Sequence, residues 1–135
     1  MGELLVAPSA LLVAVTVLRE GLAARDQQPV VTRVPADRPG RFVTVTRAGG
    51  QLVNPFTESV MLIVQAWDDD TVLGESRAES TANLCVGIMR AASGTWVGDA
   101  RVRRWEQNAL PSYLPDPDTG IPRFQFTGEL RLAVK

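Results

Sequence analysis

The stretch from Arg123 to Val134 constrains the fold more than any other in the chain. Phe124, Phe126, Leu130, Leu132 and Val134 alternate with Arg123, Gln125, Thr127, Glu129 and Arg131. A repeat of two residues is the signature of a strand with one buried and one wet face. Such a strand cannot stand alone, so the chain must build a sheet and cover one side of it.

Other segments supply the partners. Ser59 to Trp67 is a nearly continuous apolar run, as in a central strand, although its length alone leaves a helix open. Phe42 to Arg47 is rich in β-branched and aromatic residues and ends at Gly49-Gly50, which reads as a hairpin turn. Pro29 to Pro35 reads as a short edge segment, because proline cannot donate to a sheet ladder. Ala100 to Trp105 looks extended, and Asn108 to Pro122, rich in Pro, Asp and Gly, reads as a surface loop.

Two segments have helical spacing. Ser9 follows Pro8 as a candidate N-cap, and Leu11, Leu12, Val15, Leu18 and Leu22 recur behind it, predicting a helix over Ser9–Ala24. The run Leu4–Leu18 is too short and too interrupted for a membrane span and lacks the flanks of a signal peptide, so it reads as a buried helix. Asp68, Asp69, Asp70 and Thr71 precede a second helix carrying Ala78, Ala82, Cys85, Ile88, Met89 and Ala92, which Gly94 stops. The expected fold is one α+β domain over residues 1–135: a mostly antiparallel sheet of four to five strands with two helices packed on one face.

Composition narrows the chemistry. There is no histidine, which removes Ser-His-Asp and Cys-His catalysis and histidine metal sites. Fourteen basic against fifteen acidic residues leave a net charge of -1, without the positive field that holds nucleic-acid phosphates. Cys85 is the single cysteine, so no internal disulfide forms and no oxidising compartment is needed. At an apolar helix position it reads as an inert hydrophobe. The aspartates at 68–70, 116 and 118 could meet a hard cation, but neither stretch has calcium-loop spacing, and Pro115-Asp-Pro-Asp-Thr-Gly120 reads as a rigid turn. Arg101, Arg103 and Arg104 beside Trp105 read as a solvated strand face or a salt-bridging subunit contact rather than a nucleic-acid site. No enzyme activity, cofactor or metal is expected.

Two stretches together carry a resemblance: Arg38-Pro-Gly-Arg-Phe-Val-Thr-Val-Thr-Arg-Ala-Gly-Gly50 and Pro115-Asp-Pro-Asp-Thr-Gly-Ile-Pro-Arg-Phe-Gln-Phe-Thr127. Between them lie an apolar strand ending in Trp67 and an acidic start to an Ala-rich helix, Asp68 to Ala92. In this order they resemble the tail terminator proteins of siphoviruses, long-tailed bacteriophages that infect actinobacteria. Asp70-Thr-Val-Leu-Gly74 departs from the pattern as an insert before helix two, and Phe124 stands where a tyrosine is usual.

The resemblance implies a structural virion protein of the neck region, assembled in the host cytoplasm. It would form a homo-oligomeric ring, expected to be a hexamer, on the head-proximal end of the tail tube. Its partners would be itself, the major tail tube protein and the head-tail connector or head completion protein, with no membrane and no sequence-specific nucleic acid. The alternative is another neck protein, a connector or tail completion adaptor. Loops on a rigid scaffold commonly carry such contacts. The candidate interface residues are Asp68, Asp69 and Asp70, the arm with Tyr113, Asp116, Asp118 and Ile121, and Arg101, Arg103 and Arg104 for ring contacts.

The alternation gives a direct test. Phe126→Asp is expected to unfold the domain, since an unpaired buried charge costs several kcal/mol against a margin of about 5–15 kcal/mol. Gln125→Asp, on the wet face, is expected to be tolerated; urea denaturation of the two variants measures the contrast.

Overall fold

The computed structural model describes residues 2–135, in the order α1 (Ala10–Ala23), β1 (Val30–Val31), β2 (Arg41–Asn54), β3 (Thr57–Asp68), α2 (Gly74–Ala91), β4 (Trp96–Val97), β5 (Ala100–Tyr113) and β6 (Arg123–Ala133). The strands form one sheet in the order β1-β2-β3-β6-β5-β4. Every neighbouring pair is antiparallel except β1 and β2, which run parallel. The α+β class and the two helices on one face are as the patterns predict. Six strands replace the four to five expected, and the sheet is mixed.

The centre is the β3–β6 ladder, in continuous register from Thr57↔Ala133 to Trp67↔Arg123. On its covered side Val60, Leu62, Val64 and Ala66 stand beside Phe126, Leu130 and Leu132, all buried. α2 lies over them with a narrow stripe of Ala78, Ala82, Cys85, Val86 and Met89, whose small residues let the helix approach closely. α1 buries Val13, Ala14, Val15, Leu18 and Leu22 in the same core. Its N-cap is Ser9, which accepts the Leu12 amide at 3.2 Å, as expected of a serine there. Leu12, counted in the apolar stripe from sequence, is 67% exposed; Val13 and Ala14 take the core side instead.

Three boundaries differ from the sequence reading. β2 does not stop at Gly49-Gly50 but runs on to Asn54, through a shift in register between Arg47 and Gly50. Gly49 has φ 106° and Gly50 φ 151°, so the glycines make a bulge and not a turn. A Cβ at Gly50 would also collide with the backbone of Ser59. The turn itself lies at Asn54–Thr57, where the Asn54 side chain accepts the Phe56 amide at 2.9 Å. β5 extends to Tyr113, so the first part of the predicted Asn108–Pro122 loop is strand and only the residues after Tyr113 form the loop. The Pro29–Pro35 segment contributes just Val30 and Val31.

The wet face is less wet than alternation implies. Gln65 donates to Gln125 at 2.8 Å and accepts from Thr44 at 3.2 Å, and Trp67 donates to Thr44 at 3.2 Å, so a polar chain crosses three strands. Close packing also sets residue identity across β5 and β6. Gly128 lies under the indole of Trp105, where any Cβ would overlap the ring. Trp105 in turn meets Phe126 edge-on, with centroids 6.3 Å apart.

Phe126 is 1% exposed. Phe126→Ala is expected to cost about 3–5 kcal/mol through lost burial and the cavity left behind. A urea midpoint shift with an unchanged slope would register it.

Candidate assembly surfaces

The candidate residues fall at one end of the sheet, where β3 gives way to α2 and β5 turns into β6, and along the β5 edge. The chemistry at that end begins with Asp68, the last residue of β3. It is 1% exposed and meets two guanidinium groups, Arg41 Nε at 2.9 Å and Arg77 Nε at 3.0 Å. Neither contact to Oδ2 is aligned as a hydrogen bond, so the attraction is ionic. Arg41 also grips Asp26 with both terminal nitrogens, at 2.9 and 2.6 Å, and donates to Thr81 at 3.1 Å. Arg77 reaches Asp70 at 3.3 Å. The network ties the segment after α1, the start of β2, the end of β3 and the start of α2 into one corner.

The three consecutive aspartates therefore have different environments. Asp68 is buried among arginines of its own chain. Asp70 caps the turn before α2: its Oδ1 accepts the Val72 and Leu73 amides at 2.9 and 2.7 Å. These amides, helped by Arg77, hold its carboxyl below the usual carboxylate value. Helix α2 starts at Gly74, later than the acidic run suggests, and Leu73 at its N-cap gives no side-chain cap. Asp69 alone is exposed, its amide donating to the Gly40 carbonyl at 2.9 Å.

The two stretches that carry the family resemblance meet in space, although 78 positions separate the touching residues. Arg38 pairs with Asp116 at 3.3 Å. Asp116 is buried and organises its own loop: Thr119 donates to Oδ2 at 2.6 Å and the Gly120 amide donates to its carbonyl at 2.8 Å. Gly120, at φ 72°, supplies the left-handed residue the turn needs. Trp67 is the anvil beneath both loops. Phe42 stacks on it with centroids 5.1 Å apart, and the Arg38 and Arg123 guanidinium groups lie 5.5 and 4.8 Å from its ring. Asp118 is exposed and Ile121 half-buried on this braced loop. Tyr113, exposed at its base, leans on Phe124 at 5.4 Å.

The three arginines of β5 do not act as one group. Arg101 donates to the Gly94 carbonyl at 2.8 Å and covers Trp96. A register shift between Val102 and Arg104 leaves both Arg103 and Arg104 exposed. The neighbouring Arg131 pairs with Glu106 at 3.1 Å.

Surfaces that sequence reading missed are apolar. Leu52, Val53 and Phe56 are exposed on the β2–β3 hairpin, and Leu110 and Leu114 on the β5 arm. Leu4, Leu5 and Val6 are exposed at the opposite end of the sheet from the loop, where Val6 pairs with Lys135 at 2.8 Å. The signal was present as hydrophobic residues next to turn residues, but exposure depends on which strand ends project beyond the helices. Cys85 is buried, and burial first, with Asp26 adding, pushes its thiol up to about 12. Among the described residues no cluster of three His, Cys, Asp or Glu is placed to hold a metal ion, and no helix is long and apolar enough to cross a membrane.

Compared with known proteins, the chain matches no family model and no curated protein. It does share its fold with a chain in the structure described as "Virion of native gene transfer agent (GTA) particle". The TM-score is 0.67 at 12% identity, covering 93% of this chain and 99% of the other. The likeness therefore spans the whole architecture of both chains.

Two tests follow from the corner network. Arg41→Ala is expected to destabilise the fold by about 3 kcal/mol, because it strips one partner from the buried Asp68 carboxylate; chemical denaturation reads this. Asp26 titrates below its usual value of 3.8, chiefly through its hydrogen bond from Arg41. A depressed carboxyl contributes stability that is present above the unfolded value and lost as pH falls through the folded one. Melting temperature should therefore drop on acidification below about pH 4, and more shallowly in Asp26→Asn.

Proposed function

We propose that the chain is a structural virion protein, a tail terminator that forms a ring on the head-proximal end of a phage tail tube. The observation that carries this reading is the fold shared end to end with a chain of a gene transfer agent virion. It is joined by the resemblance of the Arg38–Gly50 and Pro115–Thr127 stretches to siphovirus tail terminators. That those stretches are clamped together by Arg38–Asp116 over Trp67 supports treating them as one surface element.

The physics of the role needs no bond chemistry. A growing tube is an open heterologous assembly in which each ring exposes a surface for the next. A ring that matches that surface on one side only buries the sticky end and presents an unlike face to the connector. On this reading the partners are further copies of the chain, in a ring expected to hold six in all, the tube protein, and the head-tail connector. Asp69, Asp118, Ile121 and Tyr113, on the loop end, are the proposed contacts to one of the stacked partners, and Arg103 and Arg104 lie toward a ring neighbour. Asp68 and Asp116 serve these surfaces indirectly, by holding their shape.

The reading is tested in the phage and in the test tube. Deleting the gene is expected to give overlong tails, whereas loss of a connector or completion adaptor would leave tails of normal length unattached to heads. Negative-stain images of the purified protein mixed with tube protein are expected to show capped tube ends. Tubes that keep growing in its presence would overturn the assignment.

A further inference from the structure

Among the described residues the sheet has two outer edges left open. β1 covers β2 only at Val43 and Thr44, so the edge from Thr46 to Asn54 has no strand beside it. On the other side β4 covers Ala100 and Arg101, and Ser93 and Thr95 take the amides of Trp105 and Val102. From Glu106 to Tyr113 the outer edge of β5 is bare. Long bare edges are hazards that folded proteins usually blunt with charges, prolines or covering segments. The β2 edge from Ala48 to Asn54 has no charge and no proline, and Leu52 there is 67% exposed. Its register shifts, at Arg47/Gly50 and Leu52/Asn54, bend this edge without covering it.

The geometry points to a second copy of this chain as the cover, with the open β5 edge of one copy pairing against the open β2 edge of the next. This rests on the ring reading above and names the contact that would close it. Three features favour a like copy. β2 and β5 run in opposite senses, since three antiparallel steps, β2–β3, β3–β6 and β6–β5, separate them. A neighbour repeated in the same orientation therefore brings β2 antiparallel to β5, the stronger pairing. The contact is also heterologous, so it repeats round an axis instead of stopping at a pair.

The third feature is the offset of the two edges. Following the register across the sheet, Thr46 is level with Ala109 through Ile63 and Thr127. Gly50 is level with Trp105 through Val60 and Leu130. The centre of the bare β2 edge thus lies about four residues, ~13 Å, along the strands from the centre of the bare β5 edge. Pairing them fully requires strands tilted to the ring axis, the stagger by which any sheet closes on itself. Leu110, 71% exposed, and Pro111 on β5 then lie near Gly49, Gly50 and Leu52 of the neighbour, covering apolar surface on both.

Cysteine pairs test this directly. The double variant Gln51→Cys, Ala109→Cys places both thiols on the uncovered sheet face, and oxidation of the assembled protein is expected to give a disulfide-linked ladder on a non-reducing gel. A control, Gln51→Cys with Glu20→Cys on the outer side of α1, should give none. If rings are seen by electron microscopy but Gln51→Cys links to none of Asn108→Cys, Ala109→Cys or Leu110→Cys, the edge pairing is wrong and the ring reading stands. The second variant, Ala48→Lys with Leu52→Lys, charges an exposed edge; it should keep the far-ultraviolet spectrum and melting temperature while light scattering falls to the monomer mass. An unchanged assembly mass would overturn the pairing. Failure of the wild type to cap tubes, with the ladder intact, would instead overturn only the proposed function.

Discussion

Everything in this molecule hangs on the β3–β6 ladder. Of the three long pairings it is the one without a register shift, and its covered face supplies most of the sheet's share of the core. Apolar burial is worth about 25 cal/mol per Å², so a continuous two-strand platform is where a chain of this size can collect stability. The flanking strands are less regular: β2 and β5 both carry register shifts, one on each side of the platform. The rigid centre is thus bordered by strands free to bend away from the helices. That arrangement lets a small domain combine a firm core with projecting arms.

Electrostatics are concentrated where the backbone changes direction. Arg41, Arg77, Asp26, Asp68 and Asp70 join segments that no strand pairing would hold together. An ion pair on an exposed face contributes little, but Asp68 lies out of solvent, so its arginines are obligatory once it is buried. The loop clamp of Arg38, Asp116 and Trp67 follows the same logic with an aromatic floor. Both devices fix the shape of one end of the sheet.

How far the sequence discloses this depends on distance along the chain. The last strand is plain from its alternation, because inside and outside are written in neighbouring residues. Helix α1 is legible from its serine cap and leucine spacing. The extension of β2 is not, because two glycines serve a bulge as readily as a turn. The extension of β5 is hidden by Asn108, Pro111 and Ser112, whose composition is that of a loop, while β6 still pairs with Gln107, Ala109, Ser112 and Tyr113 across two register shifts. Asp68 and Asp116 look like solvent-facing acids until their arginine partners, far off in sequence, are brought beside them. The open sheet edges have no local signature at all, since an edge is defined by what is missing next to it.

Gly128 and Trp105 carry a consequence for how such a chain can change over time. The indole occupies the space that a side chain on the facing strand would fill. Position 128 is free to acquire a methyl group only after position 105 has given up its large ring, and that first step opens a hole in the core. The constraint runs one way, so in divergent descendants a side chain at position 128 should be found only where position 105 no longer carries tryptophan.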